Sequence, residues 1–244
     1  MANQLDLEEQ EQLDQLKHVW KQYGNLITWM LIAVMGAYAA WNGYQYWQRS
    51  QASQASAMFD EVERLSRLGD LSKVERAFND MRDKFAGTAY AQQSGLMVAK
   101  LYYEAGKADA AKSALEWVAT KAPDEAYQAI ARLRLAAILA EAKSYPEAMT
   151  QLGGSFPADF LALVADRKGD ILILQGKNGE AKAEYEKSYK AFDERTEYRR
   201  LVEIKLNALG VNPVAAAQSV TTAQSTPVES NVAAPAASTS GSVK

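Results

Sequence analysis

Residues 101–118 read LYYEAGKADAAKSALEWV. Gly106 stands between two stretches whose apolar residues recur at helical spacing, as expected where one helix ends in a left-handed turn and the next begins. Three other segments align on the same turn: LGDLSKVERAF from Leu68, AKSYPEAMTQL from Ala142 and QGKNGEAKAEY from Gln175. Their turn positions are Gly69, Lys143 and Gly176, so the four turns are spaced by 37, 37 and 33 residues, about one helical hairpin each. Strand-like alternation is scarce from Ser50 to Pro213, and the fold expected is all-α.

These units resemble tetratricopeptide repeats, helix–turn–helix units of about 34 residues with small and large side chains at fixed places. The second unit matches best, with Ala99 and Tyr102 before the turn, Ala111 and Leu115 after it, and Pro123 at its close. Ala136, Leu139, Tyr145, Ala148 and Leu152 take the equivalent places in the third unit, where Lys143 replaces the turn glycine. The fourth has Gly169, Leu172, Ala181, Tyr185 and Ser188; the first, most degenerate, has Val62, Leu65, Val74 and Phe78. A helical bundle with coincidental turns is the alternative. TEYRRLVEIKLNALG then reads as a last helix that caps the stack, ending at Gly210. Residues 214–244 are mostly Ala, Ser, Thr, Val and Pro, too poor in large apolar groups to offset ordering entropy, and are expected to be a disordered tail.

Ahead of the body, NLITWMLIAVMGAYAAWNGYQYW fills residues 25–47, with no Lys, Arg, Asp or Glu between Lys21 and Arg49. From Leu26 to Trp47 a helix would run about 33 Å, enough for one bilayer crossing. Trp29 near one end and Trp41, Tyr44, Tyr46 and Trp47 at the other suit the membrane interfaces. Ala37-Tyr38-Ala39 offers a signal-type cleavage site, but the preceding segment is long and holds Asp6, Glu8, Glu9, Glu11 and Asp14, unlike a short positive leader. The expected organisation is a cytoplasmic segment over residues 1–24, a transmembrane helix over 25–47, a repeat domain over 50–213 and the tail. Lys17 and Lys21 against Arg49 give a weak bias toward a cytoplasmic N-terminus. Ala33, Gly36, Ala37, Ala40 and Gly43 fall on one face that would admit a second membrane helix, although Gly and Ala are common in membrane helices anyway.

The composition narrows the chemistry. Acidic and basic residues, 30 and 27, are scattered without the basic block that nucleic acid requires. There is no cysteine, and the single histidine, His18, precedes the apolar run, so thiolate chemistry and His-assisted catalysis in the body are excluded. Phosphate-binding glycine motifs are absent, and no cofactor or metal site is expected. Asp166 and Asp170, one helical turn apart, read as a solvated face rather than an acid–base or cation-binding pair.

Stacked hairpins form a solenoid whose concave side is lined by the first helix of each pair, a natural groove for peptides or partner helices. Transferred by position, the repeat pattern displays Phe59, Glu63, Leu96, Lys100, Tyr103, Leu133, Ala137, Asp166, Asp170 and Ile173 there. Any of them could instead pack against a neighbouring repeat.

The acidic N-terminal segment, the anchor and the repeat body together resemble the YfgM family of ancillary Sec-translocon subunits. The segments LDLEEQEQLDQLKHVWKQYGN, LGDLSKVERAF and LYYEAGKADAAKSALEWV are especially similar, and the resemblance covers residues 1 to about 213. It implies an inner-membrane protein of Gram-negative bacteria with a periplasmic domain beside the SecYEG channel. It further implies association with the membrane-anchored chaperone PpiD, transfer of emerging chains to periplasmic chaperones, and a cytoplasmic segment that restrains an envelope-stress response regulator. The rival expectation is a structural adaptor that organises another envelope complex, in division or outer-membrane assembly, without handling clients.

Overall fold

The computed structural model describes residues 7–213, so the tail expected beyond Pro213 lies outside the described residues. Among those residues there is no strand, and the all-α expectation holds. Helix α1 runs over Leu7–Leu68, followed by α2 (Leu71–Phe85), α3 (Ala89–Glu104), α4 (Ala108–Lys121), α5 (Glu125–Glu141) and α6 (Tyr145–Gln151). A 3₁₀ turn at Ala158–Phe160 leads into α7 (Leu161–Leu174), α8 (Asn178–Ala191) and α9 (Glu197–Ala208).

The four expected turns are all present, and their backbone shows why. Gly69, Gly106 and Gly176 take φ values of 70°, 74° and 74°, and Lys143 reaches 60° without being glycine. After each of the last three, an N–H reaches back five residues: Lys107 to Tyr102 O at 2.8 Å, Ser144 to Leu139 O at 2.9 Å, and Lys177 to Leu172 O at 2.9 Å. This bond satisfies a carbonyl that the helix end would otherwise orphan, and it requires the left-handed residue. The first turn is finished differently, with Asp70 accepting the N–H of Lys73 at 3.1 Å as an N-cap.

Packing follows the repeat pattern. Val62, Val74, Ala111, Ala136, Ala148 and Ala181 are fully buried, and Phe78, Ala99, Tyr102, Leu115, Leu152 and Tyr185 nearly so. Gly169 lies directly under the ring of Tyr185, so close that a Cβ there would collide with it. The third hairpin is cut short, as GGSFP suggests: α6 has only 7 residues.

The chain divides into two compact units, Met1–Arg132 and Leu133–Lys244. In the first, Ala55, Met81, Phe85 and Ala91 form a core flanked by Met58, Phe59, Tyr90 and Trp117. Phe78 meets Trp117 edge-on, with ring centroids 5.7 Å apart. In the second, Leu172, Ala181, Tyr185, Val202 and Leu206 are buried together.

The boundary expected between residues 47 and 50 is not a break in the helix. No Gly or Pro occurs from Tyr44 to Leu68, so nothing stops α1 from carrying the apolar run straight into the first hairpin. It is the one helix, among the described residues, long and apolar enough to cross a membrane.

Candidate functional site

The ten groove residues divide evenly between the two units, and the structure sorts them by exposure. In the first unit, Lys100 and Tyr103 on α3 are exposed, and Lys100 pairs with Glu104 at 3.7 Å. Glu63 on α1 is half-buried and pairs with Arg67 at 2.8 Å. Two expectations are corrected. Leu96 is buried, and Phe59 packs on the core with its ring 5.8 Å from that of Tyr90, because α1 and α3 lie against each other along this face.

In the second unit, Ile173 is exposed while Leu133 and Ala137 are half-buried. The acidic pair is corrected outright. Asp166 is 1% exposed, and the groups that cover it come from the last helix. Lys205 donates to both Asp166 oxygens, at 2.8 and 2.9 Å, and to Asp170 Oδ1 at 2.6 Å. The Tyr198 hydroxyl donates to Asp166 Oδ2 and the Tyr185 hydroxyl to Asp170 Oδ1, each at 2.8 Å. Burial, then the hydrogen bond to the neighbouring carboxylate, pushes both phenols well above their ordinary range. A carboxylate taken from water needs a counter-charge and donors, and this arrangement supplies both. It is a clamp between α7, α8 and α9, its carboxylates engaged by groups of the fold itself.

The clamp fastens α9 to α7. Gly210 has φ 77°, and Val211 N–H returns to Leu206 O at 3.0 Å, the bond seen after the turns at Gly106, Lys143 and Gly176. Helix α9 packs on the fourth hairpin with Val202 and Leu206 turned inward and Leu201 and Ile204 exposed.

Residues 17–211 match the family model described as Tetratricopeptide repeat-like domain. A relative from Neisseria gonorrhoeae described as Ancillary SecYEG translocon subunit is 30% identical over 204 residues, covering 83% of this chain and 98% of its own. The chain belongs to the YfgM family. A Haemophilus influenzae relative with the same description is 28% identical over 207 residues, again 83% of this chain and 98% of its own.

In this YfgM-family chain the small-residue face of α1 is open: a Cβ built at Gly36 or Gly43 meets nothing within 4 Å. Around it Trp29, Trp41 and Tyr46 are exposed, as side chains facing lipid would be. Sequence reasoning missed Lys205, Tyr198 and the hydroxyl role of Tyr185. The available signal was the acidic pair itself, which if buried demanded a cation from a neighbouring helix.

Proposed function

We propose that this chain is an ancillary, non-catalytic subunit of the Sec translocon, held in the inner membrane by α1 with its N-terminus cytoplasmic and its repeat body in the periplasm. There it helps transfer exported chains to periplasmic chaperones, among them PpiD, and its cytoplasmic segment restrains an envelope-stress response regulator. The observation that most supports this reading is the unbroken α1, which joins an apolar span to a repeat body in a chain whose relatives are described as SecYEG subunits. A tethered binding surface works at a high effective concentration, so weak contacts suffice. The open Gly36–Gly43 face is suited to close approach by a channel helix, and exposed Lys100 and Tyr103 to contact with an emerging chain.

The test is a photo-crosslinking amino acid placed at Lys100 or Tyr103 in growing cells. Adducts with Sec components, chaperones or exported chains are expected. A single stable adduct with another envelope complex would favour the adaptor reading, and adducts with lipid alone would remove support from both.

A further inference from the structure

Where α1 leaves its apolar run, the first unit holds a cleft of about 660 Å³ between α1, the α2–α3 loop and the end of α4. Tyr44 and Trp47, the last aromatic pair of the run, line one side with ring centroids 6.1 Å apart. Phe85 and Tyr90, which belong to the core beneath or pack on it, line another. Two cations complete it, Arg49 and Lys84, and no Asp or Glu lines it. Arg49 makes one long hydrogen bond, to Gln45 at 3.4 Å, and Lys84 has no ion pair among the described residues. Helix α3 begins at the cleft, with Ala89 and Tyr90 in its wall, which adds the positive end of a helix dipole.

We infer that this cleft binds the headgroup of an anionic phospholipid. The proposal rests on α1 crossing the membrane. From Tyr44 to Ala52 the helix rises about 12 Å, which spans the interfacial layer outside the hydrocarbon core. The cleft therefore lies at the depth of lipid phosphates. Two unneutralised cations over an apolar floor are complementary to a phosphodiester with the first methylenes of its acyl chains, and basic recesses beside membrane helices take such heads. Free phosphate would satisfy the cations but leave the aromatic and apolar walls unused.

The experiment places the full-length protein in nanodiscs of equimolar phosphatidylethanolamine and phosphatidylglycerol and reads retained lipid by native mass spectrometry. Phosphatidylglycerol should be retained roughly thirtyfold over phosphatidylethanolamine, given two near-surface cations. Arg49→Gln with Lys84→Gln should abolish that preference, the charge-conserving Arg49→Lys with Lys84→Arg should keep it, and excess inorganic phosphate should not displace the lipid. Equal retention of both lipids by the wild type, an unchanged preference in the Gln variant, or displacement by inorganic phosphate would overturn the site. Failure of the chain to enter nanodiscs would overturn the membrane crossing, and the lipid site with it.

Discussion

Lys205 Nζ lies 2.8 Å from Asp166 Oδ1, joining α9 to α7 across 39 residues of sequence. The pair is largely withdrawn from water, the side chains being 23% and 2% exposed. Such a pair stabilises less than its Coulomb attraction suggests, because both charges lose hydration on folding. Its loss on one side only is another matter.

Lys205→Met should destabilise the second unit by about 3 kcal/mol, since Asp166 would stay buried without its cation. Adding Asp166→Leu should recover a large part of the loss, whereas two independent sites would give additive effects. Urea unfolding of the full-length chain in detergent, followed by circular dichroism, reads both numbers.

Alkaline pH should weaken the fold in a defined direction. Tyr102, Tyr185 and Tyr198 have phenols raised above the ordinary value, by burial first in each case. A raised folded-state value means that their contribution is complete below about pH 10 and is lost as pH climbs through the folded-state values. Absorbance at the phenolate band should show Tyr185 and Tyr198 ionising only as the protein unfolds. Tyr198→Phe should flatten the decline above pH 10 while removing about 1–2 kcal/mol at neutral pH, through the lost bond to Asp166.

Lys143 holds a left-handed φ of 60° where the other repeat turns use glycine. A side chain in that region costs about 1–2 kcal/mol, more than glycine loses through its unfolded-state entropy. Lys143→Gly should therefore stabilise the protein by roughly 0.5–1 kcal/mol, whereas Gly176→Ala should cost about 1 kcal/mol at an equivalent turn. Denaturation midpoints of the two variants, measured side by side, check the sign.

The contrast between turns and polar residues shows what one sequence makes legible. Turn positions from Gly69 to Gly176 were readable because each is set locally, by a residue that tolerates the left-handed region and by apolar spacing on either side. Lys143 was readable only through the spacing of its neighbours. Asp166 was not readable, since a carboxylate pair one turn apart looks solvated unless the distant Lys205 and Tyr198 are known to cover it. Phe59 and Leu96 were misplaced for a related reason: a groove position and an inter-helix position differ by one residue of rotation, about 100°. The continuity of α1 is legible in the absence of Gly and Pro between Gly43 and Gly69, even though the composition changes from apolar to polar at Arg49.

Ser53 is exposed on α1 and lines no core, so Ser53→Pro should interrupt the rod without unfolding the hairpins. Spin labels at the exposed positions Tyr46 and Ala57 should report a narrow separation near 16 Å along an intact helix. The proline variant should broaden it, at a local cost of about 3 kcal/mol.

The most direct measurement uses the absence of native cysteine. His18→Cys and Tyr103→Cys variants are exposed, in intact cells with a permeabilised outer membrane, to a maleimide that cannot cross the inner membrane. An uncleaved α1 that crosses the bilayer and carries the repeats outside the cytosol predicts labelling at residue 103 alone, on full-length protein that sediments with membranes. Labelling at residue 18, or on a shortened soluble chain, would contradict it.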